Sequence, residues 1–211
     1  MKICYIFGAL ECPDACVRGS DTFIVAADAG YANLKALGLT PNAAVGDFDS
    51  LGYIPDDVSV AVYPSRKDRT DTLLAVDTGL ENGCDVFVIY GGIGGRLDHT
   101  IANIQTLAYI ADHGAAGYML SNGQVVTVTG GEISFSEKLN GYISVFAVAG
   151  KPRVSISGLK YTLDDYLMSP LYPIGVSNEF EASDAEISVR GGLVAVMWQQ
   201  SSSDFVRELV K

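Results

Sequence analysis

The period of the apolar pattern changes once along this chain, near residue 122, and that change limits the fold more than any other feature. Before it, short apolar runs at 2–8, 22–28, 43–47, 58–64, 85–91 and 117–122 alternate with longer stretches of helical spacing. The stretches "YANLKALG", "TDTLLAVDTGLENG" and "LDHTIANIQTLAYIADHG" each end in a glycine suited to a helix C-terminus. Nearly continuous apolar strands between helices predict an α/β domain with a mostly parallel, buried sheet. After Asn122 the texture is period two. "QVVTVTG", "EISFSE", "YISVFAVAG", "RVSISG", "EISVRG" and "LVAVMWQ" alternate polar and apolar residues between glycine-containing turns. That predicts an all-β antiparallel sandwich or small barrel without a long helix. The expected domains are residues 1–122 and 123–211, with no low-complexity linker and no long-period repeat between them.

A chain of 211 residues with 48% hydrophobic and 18% charged side chains has the means to bury a real core. Its net charge of −11 argues against binding nucleic acid, which needs stripes of Lys and Arg. It does not argue against a nucleotide, whose charge metal ions and backbone N–H groups can meet. Cys4, Cys12, Cys16 and Cys84 form no CxxC pair, and with only two histidines a zinc site is not expected. Scattered thiols fit a cytoplasmic protein. No apolar run reaches the roughly 18 residues of a membrane span, so no membrane partner is expected. "MKICYIFGAL" reads as a first strand and not as a signal peptide.

Ligands of open parallel sheets bind outside the carboxyl ends of the strands. At those ends the sequence places Asp28 after the second run, Asp47 and Asp49 after the third, "SRKDRTD" after the fourth and "GGIGGRLDH" after the fifth. A single Asp there is ordinary helix capping. A set of them is not, because two unit charges ~4 Å apart repel by roughly 4 kcal/mol at an effective dielectric near 20. A hard divalent cation with oxygen ligands, Mg²⁺ before Ca²⁺, relieves that repulsion.

"GGIGGR" carries four glycines in five residues before a helix, which lets backbone N–H groups approach a phosphate, with Arg96 adding a charged fork. It is neither a dinucleotide fingerprint nor a Walker A loop. Lys67, Asp68, Thr70 and Asp71 bring a cation and a hydroxyl beside the acids. Asp68 also suits a helix cap, with Asp71 in the first helical turn. His99 follows Asp98 directly, and neighbours on a helix do not face each other, so His99 is expected to be structural or supporting.

In this order the stretches "ADAGYANLKALGLTPNAAVGDFDSLG", "SRKDRTDT", "GGIGGRLDHTIANI", "SGLKY" and "GVSNEF" resemble the thiamine pyrophosphokinase family across most of the chain. The resemblance implies an N-terminal domain for Mg-ATP, a C-terminal β domain for thiamine, and a homodimer with active sites between subunits. It places Asp28, Asp47, Asp49 and Asp71 on metal and catalytic acids. It puts Lys67, Asp68, Thr70, Gly92, Gly94, Gly95 and Arg96 in the nucleotide region, with Asp98 beside them, and Ser177, Asn178 and Phe180 in the thiamine region. Ala29, Leu73 and Thr162 depart from the family pattern without removing a group the chemistry needs. The implied reaction is attack of the thiamine hydroxyl on the β-phosphorus of ATP, with Asp71 or Asp98 as base. The alternatives are a glycosyltransferase using Asp47-x-Asp49 as its metal site, a non-catalytic thiamine or nucleotide sensor, and a scaffold, which would leave the clustered acids unexplained.

Overall fold

The computed structural model describes residues 1–64 and 68–211. The chain forms two compact units, 1–122 with 202–211, and 123–201.

In the first unit, six parallel strands stand in the order β6-β5-β1-β2-β3-β4. They are β1 (Ile3–Phe7), β2 (Thr22–Ala27), β3 (Ala43–Gly46), β4 (Ser59–Val62), β5 (Val86–Tyr90) and β6 (Ala116–Ser121). β1 and β5 lie side by side in the middle and are buried at every position, which is why they read as unbroken apolar runs. Helices α1 (Gly30–Ala36), α2 (Asp71–Glu81) and α3 (Leu97–Asp112) connect the strands. Gly38, Gly83 and Gly114 close these helices at positive φ, and the next residue donates its N–H back to Leu34, Gly79 or Ile110. Thr70, not Asp68, caps α2, its hydroxyl accepting from the Leu73 N–H at 3.2 Å.

From β1 the chain runs outward through β2 and β3 to β4, then recrosses to β5 on the other side of β1. The direction of winding therefore reverses between β1 and β5. In such sheets a crevice opens at the carboxyl ends of the strands on either side of that reversal.

The second unit is antiparallel. β9 (Tyr142–Ser157) and β12 (Ala185–Gln199) form its long central pair. β7 (Gln124–Thr129) and β8 (Glu132–Phe135) flank β12, and β10 (Leu163–Leu167) and β11 (Gly175–Glu179) flank β9. The sequence pattern splits both long strands at their glycines. The structure runs straight through them, because Gly191 takes φ +73 at an irregularity between Arg190 and Gly192 and pairing then resumes.

Residues 202–211 were expected in the β domain and instead pack with the first unit as α4 (Ser202–Leu209). Phe205 lies 4.8 Å from the ring of Tyr118 and Val206 is fully buried. Burial of the two is worth roughly 1.5–3 kcal/mol each.

Candidate active site

A cleft of about 700 Å³ opens in the first unit at the carboxyl ends of the strands. Three of its acids converge. Asp28 follows β2, Asp47 follows β3 and Asp71 opens α2, and one carboxylate oxygen from each lies within 4.8 Å of the others. Asp28 sits in the left-handed region at φ 47, its N–H donating to Val45 and its carbonyl accepting from Tyr31, so backbone contacts on two sides fix its direction. Its Oδ1 is buried without a protein partner. A buried carboxylate oxygen left in that state is costly, and a cation in the carboxylate trio would satisfy it.

Asp49 lines the same cleft but does not join the trio. Its N–H reaches back to Asp47 Oδ1 at 3.4 Å and its own Oδ1 accepts from the Ser50 hydroxyl at 3.0 Å. The cause is Phe48, which is buried with φ 58 and turns the chain between the two acids.

The glycine turn lines the same cleft. Gly92, Gly94, Gly95 and Arg96 all line the cleft. Gly91 admits no side chain, because a Cβ there would stand 2.3 Å from the Leu10 carbonyl oxygen. α3 pins the turn: Asn103 Nδ2 donates to the Gly92 carbonyl at 2.8 Å, and the Gly94 N–H donates to Thr100 Oγ1 at 3.2 Å. The positive end of α3 therefore meets backbone amides at the cleft, an arrangement suited to an anion.

Arg96 forms a two-pronged pair with Asp98, at 3.1 Å and 2.6 Å. That pair holds the Asp98 carboxyl below its ordinary value and raises Arg96. Asp98 does not line the cleft, whereas His99, expected only to support, does. Thr70 lines it while capping α2, and Asp68 is exposed outside it. Lys67 lies outside the described residues. Arg69, which no motif marks as a site residue, reaches the cleft wall and pairs with Asp77 at 2.7 Å.

The three expected thiamine residues lie in the second unit. Asn178 is buried, and its amide accepts from the Tyr161 and Glu179 N–H groups and donates to the Tyr161 carbonyl. Phe180 is half-buried, edge-on to Phe135 at 5.4 Å. Ser177 is exposed at φ 58.

A parallel sheet with a glycine-walled cleft and three converging carboxylates defines an α/β protein whose cleft offers the kinds of group that hold a cation and an anion. Two family models match the chain: the catalytic domain of thiamin pyrophosphokinase over residues 17–119, and its vitamin B1 binding domain over residues 131–194. The chain belongs to the thiamine pyrophosphokinase family. It is 38% identical to thiamine pyrophosphokinase of Bacillus subtilis over 92 residues, a stretch covering 41% of this chain and 43% of that one, so the match spans less than half of the relative. With thiamin pyrophosphokinase 1 of Caenorhabditis elegans it shares 27% identity over 73% of this chain and 68% of the relative. The crystal structure of the Bacillus subtilis enzyme superposes with a TM-score of 0.84 at 24% identity, over 94% of this chain and 99% of that one, which shows the fold.

Proposed function

We propose that this chain transfers the pyrophosphoryl group of Mg-ATP to the primary hydroxyl of thiamine, giving thiamine diphosphate and AMP. The observation that carries the reading is the carboxylate trio of Asp28, Asp47 and Asp71 with the unpartnered Asp28 Oδ1, in one cleft with the glycine turn. Those three carboxylates would hold Mg²⁺, which supplies charge neutralisation for the triphosphate when bound. The amides of the 91–95 turn other than that of Gly94, which is held by Thr100, and the Arg96 guanidinium take phosphate oxygens, with Thr70 offering a hydroxyl nearby. The thiamine hydroxyl oxygen bonds to the β-phosphorus, the bond from that phosphorus to the α–β bridging oxygen breaks, and AMP leaves with the bridging oxygen. The hydroxyl proton passes to a carboxylate. Asp71 is the base we favour, because it lines the cleft, whereas Asp98 lies outside the lining and its pairing with Arg96 makes it the weaker proton acceptor.

Ser177, Asn178 and Phe180 belong, in this reading, to the thiamine region, with Asn178 shaping it through the backbone and not by direct contact. The protein acts as a homodimer with active sites between subunits, in the cytoplasm. Four free cysteines fit a reducing compartment, and among the described residues no helix is long and apolar enough to cross a membrane. A glycosyltransferase-type site would need Asp47 and Asp49 together, and Asp49 lies outside the trio. The test is purified protein with Mg-ATP and thiamine, AMP and thiamine diphosphate being measured together. Equal amounts of both are expected. ADP with thiamine monophosphate would overturn the reading, as would the absence of turnover.

A further inference from the structure

The cleft has a wall that the sequence motifs do not announce. It is the loop that leaves β1, of which Gly8, Ala9 and Leu10 line the cavity. Outside the cleft lining, in the middle of α1, stands Asn33. Its Nδ2 donates to three successive carbonyls, Gly8 at 2.9 Å, Ala9 at 3.3 Å and Leu10 at 3.1 Å. Three consecutive carbonyls seldom converge on one donor: in a strand they alternate in direction, and in a helix each points to its own N–H four residues on.

The consequence follows from the planar trans peptide. In each unit the N–H of the next residue points opposite to the carbonyl. With the carbonyls of 8, 9 and 10 gathered on Asn33, the N–H groups of Ala9, Leu10 and Glu11 face away from it. Successive amides turned to one side make a concavity suited to an anion. The loop lies at the switch between β1 and β5, against the glycine turn. A Cβ on Gly91 would stand 3.1 Å from the Leu10 nitrogen, and one on Gly30, at the start of α1, would overlap the Phe7 carbonyl oxygen at 1.8 Å. The two glycines let the loop settle between α1 and the turn, and Asn33 fixes which way its amides face.

We propose that the amides of residues 9 and 10 form a second backbone cradle for the phosphates of the nucleotide, and that Asn33 is the positioning residue that orients it. This rests on the reading of the cleft as a nucleotide site. Asn33 acts through the loop. Replacing it by Asp keeps its size and sets a carboxylate against three carbonyl oxygens, which turns the loop. Replacing it by Ala leaves the loop without its tie.

The test compares wild type, Asn33→Asp and Asn33→Ala by calorimetric binding of adenosine and of a non-hydrolysable Mg-ATP analogue, together with the Mg-ATP and thiamine KM values. The expected result is a loss of 10-fold or more in affinity for the triphosphate, with adenosine affinity and thiamine KM within about twofold of wild type. Equal loss of adenosine and triphosphate affinity would reveal a merely structural role and overturn the proposal, as would unchanged triphosphate affinity. In case neither variant folds, hydrogen exchange on the wild-type protein decides. The Mg-ATP analogue should slow exchange at the amides of residues 9 and 10. An analogue that binds without protecting them overturns the cradle and leaves the nucleotide site standing. A wild-type protein that binds no nucleotide overturns both.

Discussion

Asp28 and Asp71 come from different elements, one from the end of β2 and one from the first turn of α2, yet their carboxylate oxygens lie within 4.8 Å of each other. At that range like charges repel, by about 4 kcal/mol at 4 Å and an effective dielectric of 20. Folding therefore maintains a charge cluster that opposes it. Asp28→Asn should raise the melting temperature in metal-free buffer, or leave it unchanged, while lowering turnover by on the order of 100-fold or more. Asn also tolerates the left-handed backbone at this position, so the variant should fold. A lower melting temperature without metal would show that the carboxylates do not repel, and undiminished turnover would remove Asp28 from the metal site.

Asp47 and Asp49 offer a direct comparison. Asp47→Asn should be as severe as Asp28→Asn. Asp49→Asn should keep more than about a tenth of wild-type turnover at saturating Mg²⁺, since its carboxylate is outside the trio and engaged with Ser50. Turnover measured against Mg²⁺ concentration checks this. Equal loss in the two variants would mean that Asp49 also holds the metal.

That pair also shows how far the site was legible in the sequence. The trio was legible because strand ends are easy to locate and parallel sheets place ligands there. The turn of Asp49 away from the trio was not, because it depends on Phe48 burying its ring and reversing its φ, which no spacing rule reports. Asn33 was equally hidden: its partners are carbonyls on a loop more than twenty residues earlier, and carbonyls carry no side-chain signal. The outer fold read well where apolar runs were bounded by glycine. It read poorly where glycine sits inside a strand, as at Gly191, and where a short helix such as α4 gains its stability from packing on Tyr118.

The choice of base turns on Asp98. Asp71→Asn should lose at least about 100-fold in kcat, but its place in the carboxylate trio would cost as much, so that loss alone does not identify the base. Asp98→Asn should act through Arg96 instead. It frees the guanidinium, and the expected change is confined to Mg-ATP KM, with kcat within about fivefold of wild type and its pH profile unmoved. A loss of about 100-fold in kcat for Asp98→Asn would return the base assignment to that residue.

Burial pushes the Cys12 thiol up from 9.0 to about 12, with Asp14 contributing in the same direction. The folded state then keeps a proton that the unfolded chain releases above about pH 9. This contribution is fully present below pH 9 and fades as the pH climbs toward 12. Wild-type protein should therefore lose stability more steeply over that window than Cys12→Ala, as followed by urea unfolding at several pH values. Parallel slopes would show that the thiol is not held protonated by the fold.

The thiamine region of the second unit yields the most easily misread variant. Asn178 invites mutation as a substrate contact, yet its amide is spent on backbone: it accepts from Tyr161 and Glu179 and donates to Tyr161, inside the protein. Asn178→Ala takes the partner from two part-buried N–H groups, of Tyr161 and Glu179, and from the Tyr161 carbonyl, at a cost of about 1–3 kcal/mol for each that stays unsatisfied. For a chain of this size each kcal/mol lowers the melting temperature by roughly 2–4 °C. A rise in thiamine KM in that variant should thus arrive together with a melting temperature several degrees lower. Ser177 separates the two effects. It is exposed, and its N–H, not its hydroxyl, donates to Ser144 Oγ at 3.1 Å. Ser177→Ala should leave the melting temperature within about a degree of wild type, and if its hydroxyl meets thiamine it should raise thiamine KM alone, by roughly 5- to 10-fold for one lost hydrogen bond. Unchanged thiamine KM in Ser177→Ala would remove the hydroxyl from the acceptor site. An Asn178→Ala variant of wild-type stability with a raised thiamine KM would return the amide to direct contact.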